Sequence, residues 1–436
     1  MKQLAAASVL MAFTTLLFAN PSVNEFATAK ELGLMEGFPP AADKRVDKSN
    51  AIVTPPFNRW SYLHMRNVYP TAKVENAKVA SKINKKIDNS IDNLLISNPE
   101  TNEKVSMDDY LEQAYTDSFV VIKGGKVVYE NYLNGMTPDQ PHQMMSVTKS
   151  FAGLLGLMAV EDGLVSEDDK IATLVPELEN ASAFNDATFR QMLNMTNSMA
   201  FSEVESDPDS DYFLYIAILG LGNKQEGKVY AANMYDFLEG VSKEKGLEHG
   251  SEFRYQTPKT DVLNWATNKV TNKSFQTNLT ERIWGKIGTD GDTYVLLDPA
   301  GTLIAGGGLN TSPKNLTRFA MMMLNDGKNI KGEQVVSEPI IEDIAAGGNI
   351  DAFSNGPMSS GIMADKDWSY RAQFWVRHTK GKEAFSAIGV NGQWIYMNKN
   401  KDIAIIRQSS QPVSSSAFFD GFNLNAFDTI IEHLSK

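Results

Sequence analysis

Ser146-Val147-Thr148-Lys149 sets a hydroxyl nucleophile three residues before an amine that could act as its base. A serine hydroxyl attacks a carbonyl well only when a neighbouring base takes its proton. Residues three apart on a helix share a face, so the two side chains can meet. The helix is written in Val147, Phe151, Leu154, Leu155 and Met158, one apolar stripe of period 3.6 that stops at Asp162-Gly163. The same spacing recurs at Ser242-Lys243-Glu244-Lys245, in a charged run with no apolar stripe, which reads as a solvated helix face. Only the first copy follows a polar turn, Gln140-Pro141-His142-Gln143, that becomes apolar at Met144-Met145.

Histidine is the usual base in such chemistry, and the chain has five, His64, His142, His249, His378 and His433. None stands beside a Gly-x-Ser-x-Gly elbow, which is absent, and none has the His-Glu-x-x-His spacing of a metal site. They read as surface or packing histidines. Lys149 can serve only as a neutral amine, which costs roughly 4.6 kcal/mol at pH 7 from an ordinary pKa near 10.4. Burial and a neighbouring positive charge remove much of that penalty; the alternative is a lysine reaching solvent at the helix edge. A third group must pass the proton to the leaving group. Phe253-Arg254-Tyr255-Gln256-Thr257-Pro258 is an extended segment before a helix starting near Thr260-Asp261. It puts Tyr255 at a loop or strand end, either as a hydroxyl aimed into a cleft or as a core aromatic.

The elements around these residues suggest how they are positioned. Phe119–Ile122 and Val127–Glu130 flank Gly124-Gly125 and read as a hairpin. Phe374–Arg377, Trp394–Met397 and Ile403–Arg407 read as consecutive antiparallel strands, closed by an amphipathic helix over about 419–434. Thr293–Leu297 also has strand character. Together they predict an α+β fold: an antiparallel sheet made from both ends of the chain, flanked by helices and carrying a mainly helical insertion. The expected divisions are a signal peptide over 1–29, an extended or helical N-terminal segment over 30–115, a core over 116–164 and 288–436, and the insertion over 165–287. Residues 30–80 are rich in Pro and charge and read as a wrap on the surface of the core.

Met1-Lys2 followed by the apolar run Leu4 to Phe18 fits a secretory leader rather than a membrane span. Cleavage is expected after Ala19 or, at a better small-x-small site, after Ala29. The chain has no cysteine, which excludes a thiol nucleophile, a disulfide framework and a Cys-ligated metal. This suits export to a periplasm or the medium. A formal charge of −12 argues against nucleic-acid or anionic-membrane partners.

Ser146-x-x-Lys149, Tyr255-x-Thr257 and a late strand motif, in that order, resemble the serine β-lactamase and penicillin-binding-protein superfamily. Across about 115–436, including Gly306-Gly307-Gly308-Leu309, the likeness is to its class C-like branch. Within that branch the chain is most similar to 6-aminohexanoate-dimer hydrolases, through Met145–Phe151, Phe253-Arg254-Tyr255 with Thr260–Leu263, and Ile388-Gly389-Val390-Asn391-Gly392-Gln393. The early Gly37–Pro40 and Asn58–Ser61 strings look similar as well. The resemblance implies that Ser146 attacks, Lys149 takes its proton and Tyr255 relays a proton to the leaving group. It puts the oxyanion between the backbone amides of Ser146 and Val390, and Thr257, Ala387, Gly389 and Asn391 against the substrate.

Three departures bear on substrate. Where the late motif of β-lactamases begins with Lys or His, this chain has Ala387-Ile388-Gly389, which disfavours a β-lactam carboxylate. The tyrosine motif ends in Thr257 where Asn or Ser is commoner. Where some nylon-oligomer hydrolases carry a tyrosine on the insertion loop, the matching residue is Glu205, in the acidic run 203–209. That run reads as a solvated loop or as an attractor for a cationic amine. The expected activity is hydrolysis of a small amide or ester, with no metal or organic cofactor implied. A carboxylesterase, a D-amino-acid peptidase or β-lactamase, and a non-catalytic penicillin-binding-like sensor remain open, as does oligomeric state.

Overall fold

The computed structural model describes residues 24–204, 207, 209–358, 363 and 367–436. In chain order, the strands that frame the site are β1 (Thr71–Lys73), β2 (Thr116–Lys123), β3 (Lys126–Tyr132), β4 (His142–Gln143), β5 (Tyr294–Leu296), β6 (Leu309–Thr311), β7 (Trp368–Arg371), β8 (Phe374–Arg377), β9 (Ala384–Gly389), β10 (Gln393–Asn398) and β11 (Ile403–Ser409). The helices against them are α1 (Val147–Glu161), α2 (Pro258–Thr271), α3 (Pro313–Leu324) and α4 (Ala417–Leu434).

Gly124 and Gly125 both take positive φ, which the tight turn between β2 and β3 requires. The main sheet runs β3-β2-β11-β10-β9-β8-β7, antiparallel throughout, so both ends of the chain build it. Its strands are apolar on both faces because both are covered. Val120, Ile122, Ile395, Met397, Ala404 and Ile406 form one core with residues of α1 and α3. Phe119, Val121, Trp394, Tyr396, Ile403 and Ile405 form another with residues of α4. The result is the expected α+β class.

Thr293–Leu297, expected as strand, supplies β5 to a second sheet ordered β1-β5-β6-β4. There it pairs with β1 of the N-terminal segment. That small sheet matters because β4 runs into the segment that carries Ser146. Helix α1 is buried on nearly every side, beyond what its stripe implied. A Cβ on its Gly153 would lie 2.0 Å from the Ala372 carbonyl oxygen, so only glycine lets the helix approach the β7–β8 turn.

Residues 30–80 do not simply wrap the surface. Asn58, Arg59, Ser61 and Tyr62 are buried, because β2 carries a carboxylate, Asp117, that water cannot reach. Arg59 pairs with Asp117 at 3.1 Å. The same carboxylate accepts from Asn134 Nδ2 at 2.9 Å and Ser410 Oγ at 2.7 Å, and lies 3.0 Å from His142 Nε2. Burial alone would raise the Asp117 carboxyl, but Arg59, His142 and Ser410 outweigh it and hold it below its usual range. Earlier still, Ala27 is buried with its carbonyl accepting from Arg59 Nε, and the Ala29 N–H donates to Asn134 Oδ1 at 2.8 Å. Ala27 and Ala29 therefore pack on the fold, while most of the expected leader, residues 1–23, lies outside the described residues. Among the described residues, no helix is long and apolar enough to cross a membrane.

Removing one partner of a buried ion pair strands the other, at about 3–5 kcal/mol. Asp117→Ala should lower stability by that order in chemical unfolding. A depressed carboxylate stabilises above its unfolded pKa, so the deficit should shrink as pH falls below the usual carboxylate range. A deficit under about 1 kcal/mol at neutral pH would contradict this reading.

Candidate active site

Ser146, the expected nucleophile, sits on a bend built by backbone bonds. The Gln143 N–H donates to the Tyr62 carbonyl and the Met144 N–H to the Leu309 carbonyl, at 2.8 and 2.9 Å. Met145 then takes φ 47°, a left-handed conformation that costs an L residue on the order of 1 kcal/mol. Thr148 Oγ1 steadies it, donating to the Met145 carbonyl at 2.6 Å and accepting from the Leu309 N–H at 3.0 Å. Ser146 follows at the head of α1, partly exposed.

Lys149, one turn on, is 1% exposed, so it does not reach solvent at the helix edge. Its Nζ lies 2.8 Å from Ser146 Oγ and 2.5 Å from the Gly306 carbonyl oxygen. It also stands 5.0 Å from the Tyr255 ring centroid. Tyr255 is half-buried and stacks on Trp375 of β8 at 5.4 Å between ring centres. Ser146, Lys149 and Tyr255 are thus brought together from a helix head and the approach to a second helix. The other Ser-x-x-Lys copy, Ser242 to Lys245, lies in a loop rather than on a helix face, and the intervening Lys243 pairs with Glu248.

The glycine-rich turn and the late strand close around this group. A Cβ on Gly306 would lie 2.7 Å from Thr257 Cγ2 and 2.9 Å from Asp261 Oδ2, so the turn can seat its carbonyl on Lys149 only as glycine. A Cβ on Gly389, the last residue of β9, would lie 2.6 Å from the Met144 carbonyl oxygen and 3.0 Å from the Ser146 amide nitrogen. The Val390 amide follows directly.

Two expected substrate contacts need correction. Ala387 has no exposure and pairs with Ile395 in the core shared with α1, because side chains alternate along β9 and its side belongs to that core. Asn391 holds a turn: at φ 59° its Oδ1 accepts from Tyr62 at 2.9 Å and its Nδ2 donates to the Gln411 carbonyl at 2.8 Å. Thr257 is engaged by protein too, its N–H and Oγ1 both donating to the Glu203 carboxylate, the latter at 2.6 Å. Glu205 lies outside the described residues.

Glu203 shows that the acidic run is not wholly solvated. Gln256 Nε2 donates to the Met199 and Phe201 carbonyls, and Lys259 Nζ to the Met195 and Arg254 carbonyls. The insertion loop is therefore stitched to both sides of Tyr255. Lys259 has no exposure; burial, with Arg254 adding to it, holds its amine well below the ordinary lysine range. Asp261 likewise has no exposure. In the sequence Asp261 stands out as a helix-start signal and as part of the Thr260–Leu263 string, with no role of its own, and Lys259 does not stand out. The available clue was Tyr255, Thr257, Lys259 and Asp261 alternating into a helix that must pack on α1.

The beta-lactamase family profile matches residues 107–426. The 6-aminohexanoate-dimer hydrolase of Paenarthrobacter ureafaciens is 29% identical over 366 residues, 84% of this chain and 88% of that protein. A Bacillus anthracis protein assigned as a 6-aminohexanoate-dimer hydrolase superposes with a TM-score of 0.81 at 27% identity, covering 91% of this chain and 99% of that one. A penicillin-binding-protein homologue from Caulobacter crescentus shares the fold, with a TM-score of 0.54 at 15% identity over 76% and 96% of the two chains.

The Gly389 contact gives a test. Gly389→Ala must push the strand off the nucleophile bend, since both nearest atoms are backbone. If the Val390 amide is the oxyanion donor that the resemblance implies, kcat for ester hydrolysis should fall by about 10²–10³, the usual cost of losing one such donor. A variant with kcat within twofold of wild type would show that the close approach is not needed.

Proposed function

The chain belongs to the beta-lactamase family and is a hydrolase of that fold, and we propose that it cleaves small amides or esters through an acyl-Ser146 intermediate. The observation that carries this is the buried contact between Lys149 Nζ and Ser146 Oγ. Lys149 takes the hydroxyl proton as Ser146 attacks the carbonyl carbon. The oxyanion collects at the Ser146 and Val390 amides, where each aligned donor contributes about 3 kcal/mol. Tyr255 gives its proton to the departing amine or alcohol and takes the one held on Lys149, which leaves the lysine amine neutral again. Water then enters, Lys149 takes its proton as its oxygen bonds the acyl carbon, and the Oγ–C bond breaks with that proton returning to Ser146, releasing a carboxylic acid.

Similarity to a 6-aminohexanoate-dimer hydrolase over most of both chains favours a linear amide. Glu205, in place of a tyrosine that would steady an amide N–H, favours esters as the second reading. The positive, then apolar, N-terminus supports export.

A fluorophosphonate probe followed by peptide mass spectrometry should label Ser146 in the wild type and leave Ser146→Ala unlabelled but folded. Label elsewhere, or none, would sink the acyl-serine reading. Lys149→Ala should cost about 10²–10⁴ in kcat/KM; a twofold effect would return the lysine to a packing role. Rates on p-nitrophenyl esters, short ω-amino-acid amides and nitrocefin rank the substrates, and nitrocefin turnover above the others would overturn the preference.

A further inference from the structure

Asp261, in the first turn of α2, is sealed from water beside the Ser146–Lys149 pair. Its Oδ1 accepts from the Gly306 N–H at 2.9 Å and its Oδ2 from the Tyr215 hydroxyl at 2.7 Å. The Gly306 carbonyl, on the far side of the same residue, is the one that accepts from Lys149. We propose that Asp261 is a positioning residue for Lys149: it fixes Gly306 so that the lysine amine is turned toward Ser146, and its charge steadies the ammonium formed during acylation. This rests on the acyl-serine reading.

The charge balance makes the case. In acylation the Ser146 O–H bond breaks and its proton joins the lone pair on Nζ. The Oγ–C bond forms while the carbonyl π pair moves onto oxygen. Nζ thereby passes from neutral to positive in a place closed to water, where a new charge is costly without a counter-charge. Asp261 supplies one, as the carboxylate of a Ser-His-Asp set holds its base and steadies the cation on it. Burial pushes the Asp261 carboxyl up to about 6, against the pull of Tyr215, Lys149 and the Gly306 amide. Above that pH it is ionised.

The other titratable groups nearby leave Asp261 in that role. Tyr215 and Tyr235 face it from the insertion; the charges of Glu203 and Asp298 act on Tyr215, and that of Asp298 on Tyr235 as well. Burial, then Asp261, raises both tyrosines, Tyr235 to about 12, so both stay protonated and Tyr215 stays a donor to the carboxylate. Tyr255 faces Lys149 through its ring.

The test is the second-order rate of Ser146 labelling by a fluorophosphonate, followed against pH in the full-length protein. Asp261→Asn keeps an acceptor for the Gly306 N–H but removes the charge, so the amine should lose its proton at lower pH. The acid limb is expected to move down by about one pH unit or more, and the plateau to fall about tenfold or more. A lower plateau with an unmoved midpoint means a merely structural role and overturns the proposal, as does an unchanged profile. Tyr215→Phe removes one donor to the carboxylate and should move the limb the same way by less. Should Asp261→Asn fail to fold, an unmoved midpoint in Tyr215→Phe overturns the proposal. Wild-type protein unlabelled at Ser146 is a different failure, because it removes the acyl-serine reading itself.

Discussion

A lysine amine withdrawn from water must direct its hydrogen bonds at protein groups, and at Lys149 two of these are the Ser146 hydroxyl and the Gly306 carbonyl. The rest of the molecule can be understood as what holds that arrangement. Ser146 must come off a bend tight enough to meet its own helix, so Met145 accepts a left-handed backbone. Gly306 must come within reach of Nζ, so the turn that carries it has no side chain there. The last strand residue before Val390 must lie on the nucleophile bend, so it too is glycine.

Two distant parts of the chain supply the support. From the N-terminal side, the Tyr62 carbonyl holds the Gln143 amide while its hydroxyl holds Asn391, tying the nucleophile bend to the loop after β9. Arg59 neutralises Asp117 beneath the same bend. From the insertion, Glu203 and the carbonyls of Met195, Met199 and Phe201 grip the residues around Tyr255. The site is thus framed by elements far apart in sequence, each reaching it through a buried polar group with defined partners.

The hairpin, the three late strands, α1 and α4 were legible because apolar spacing is a local property of the chain. Ser146, Lys149 and Tyr255 were legible because their residue types and order are unusual together. Arg59 and Asp117 were not, since a buried ion pair 58 positions apart leaves no periodic trace. Asp261 looked like an ordinary acidic residue in the first turn of a helix, and only packing shows that its turn faces inward. Ala387 and Asn391 were misplaced for a related reason: a motif gives order along a strand, whereas the pleat and the turn decide which side chains reach the cleft.

The most direct test of the account is a crystal structure of the protein inactivated by a phosphonate ester. The account predicts phosphorus bonded to Ser146 Oγ, with one phosphonyl oxygen about 3 Å from the amide nitrogens of both Ser146 and Val390. Lys149 Nζ should remain on the Gly306 carbonyl. Phosphorus on another residue, or a phosphonyl oxygen turned to solvent with Lys149 displaced, would contradict it.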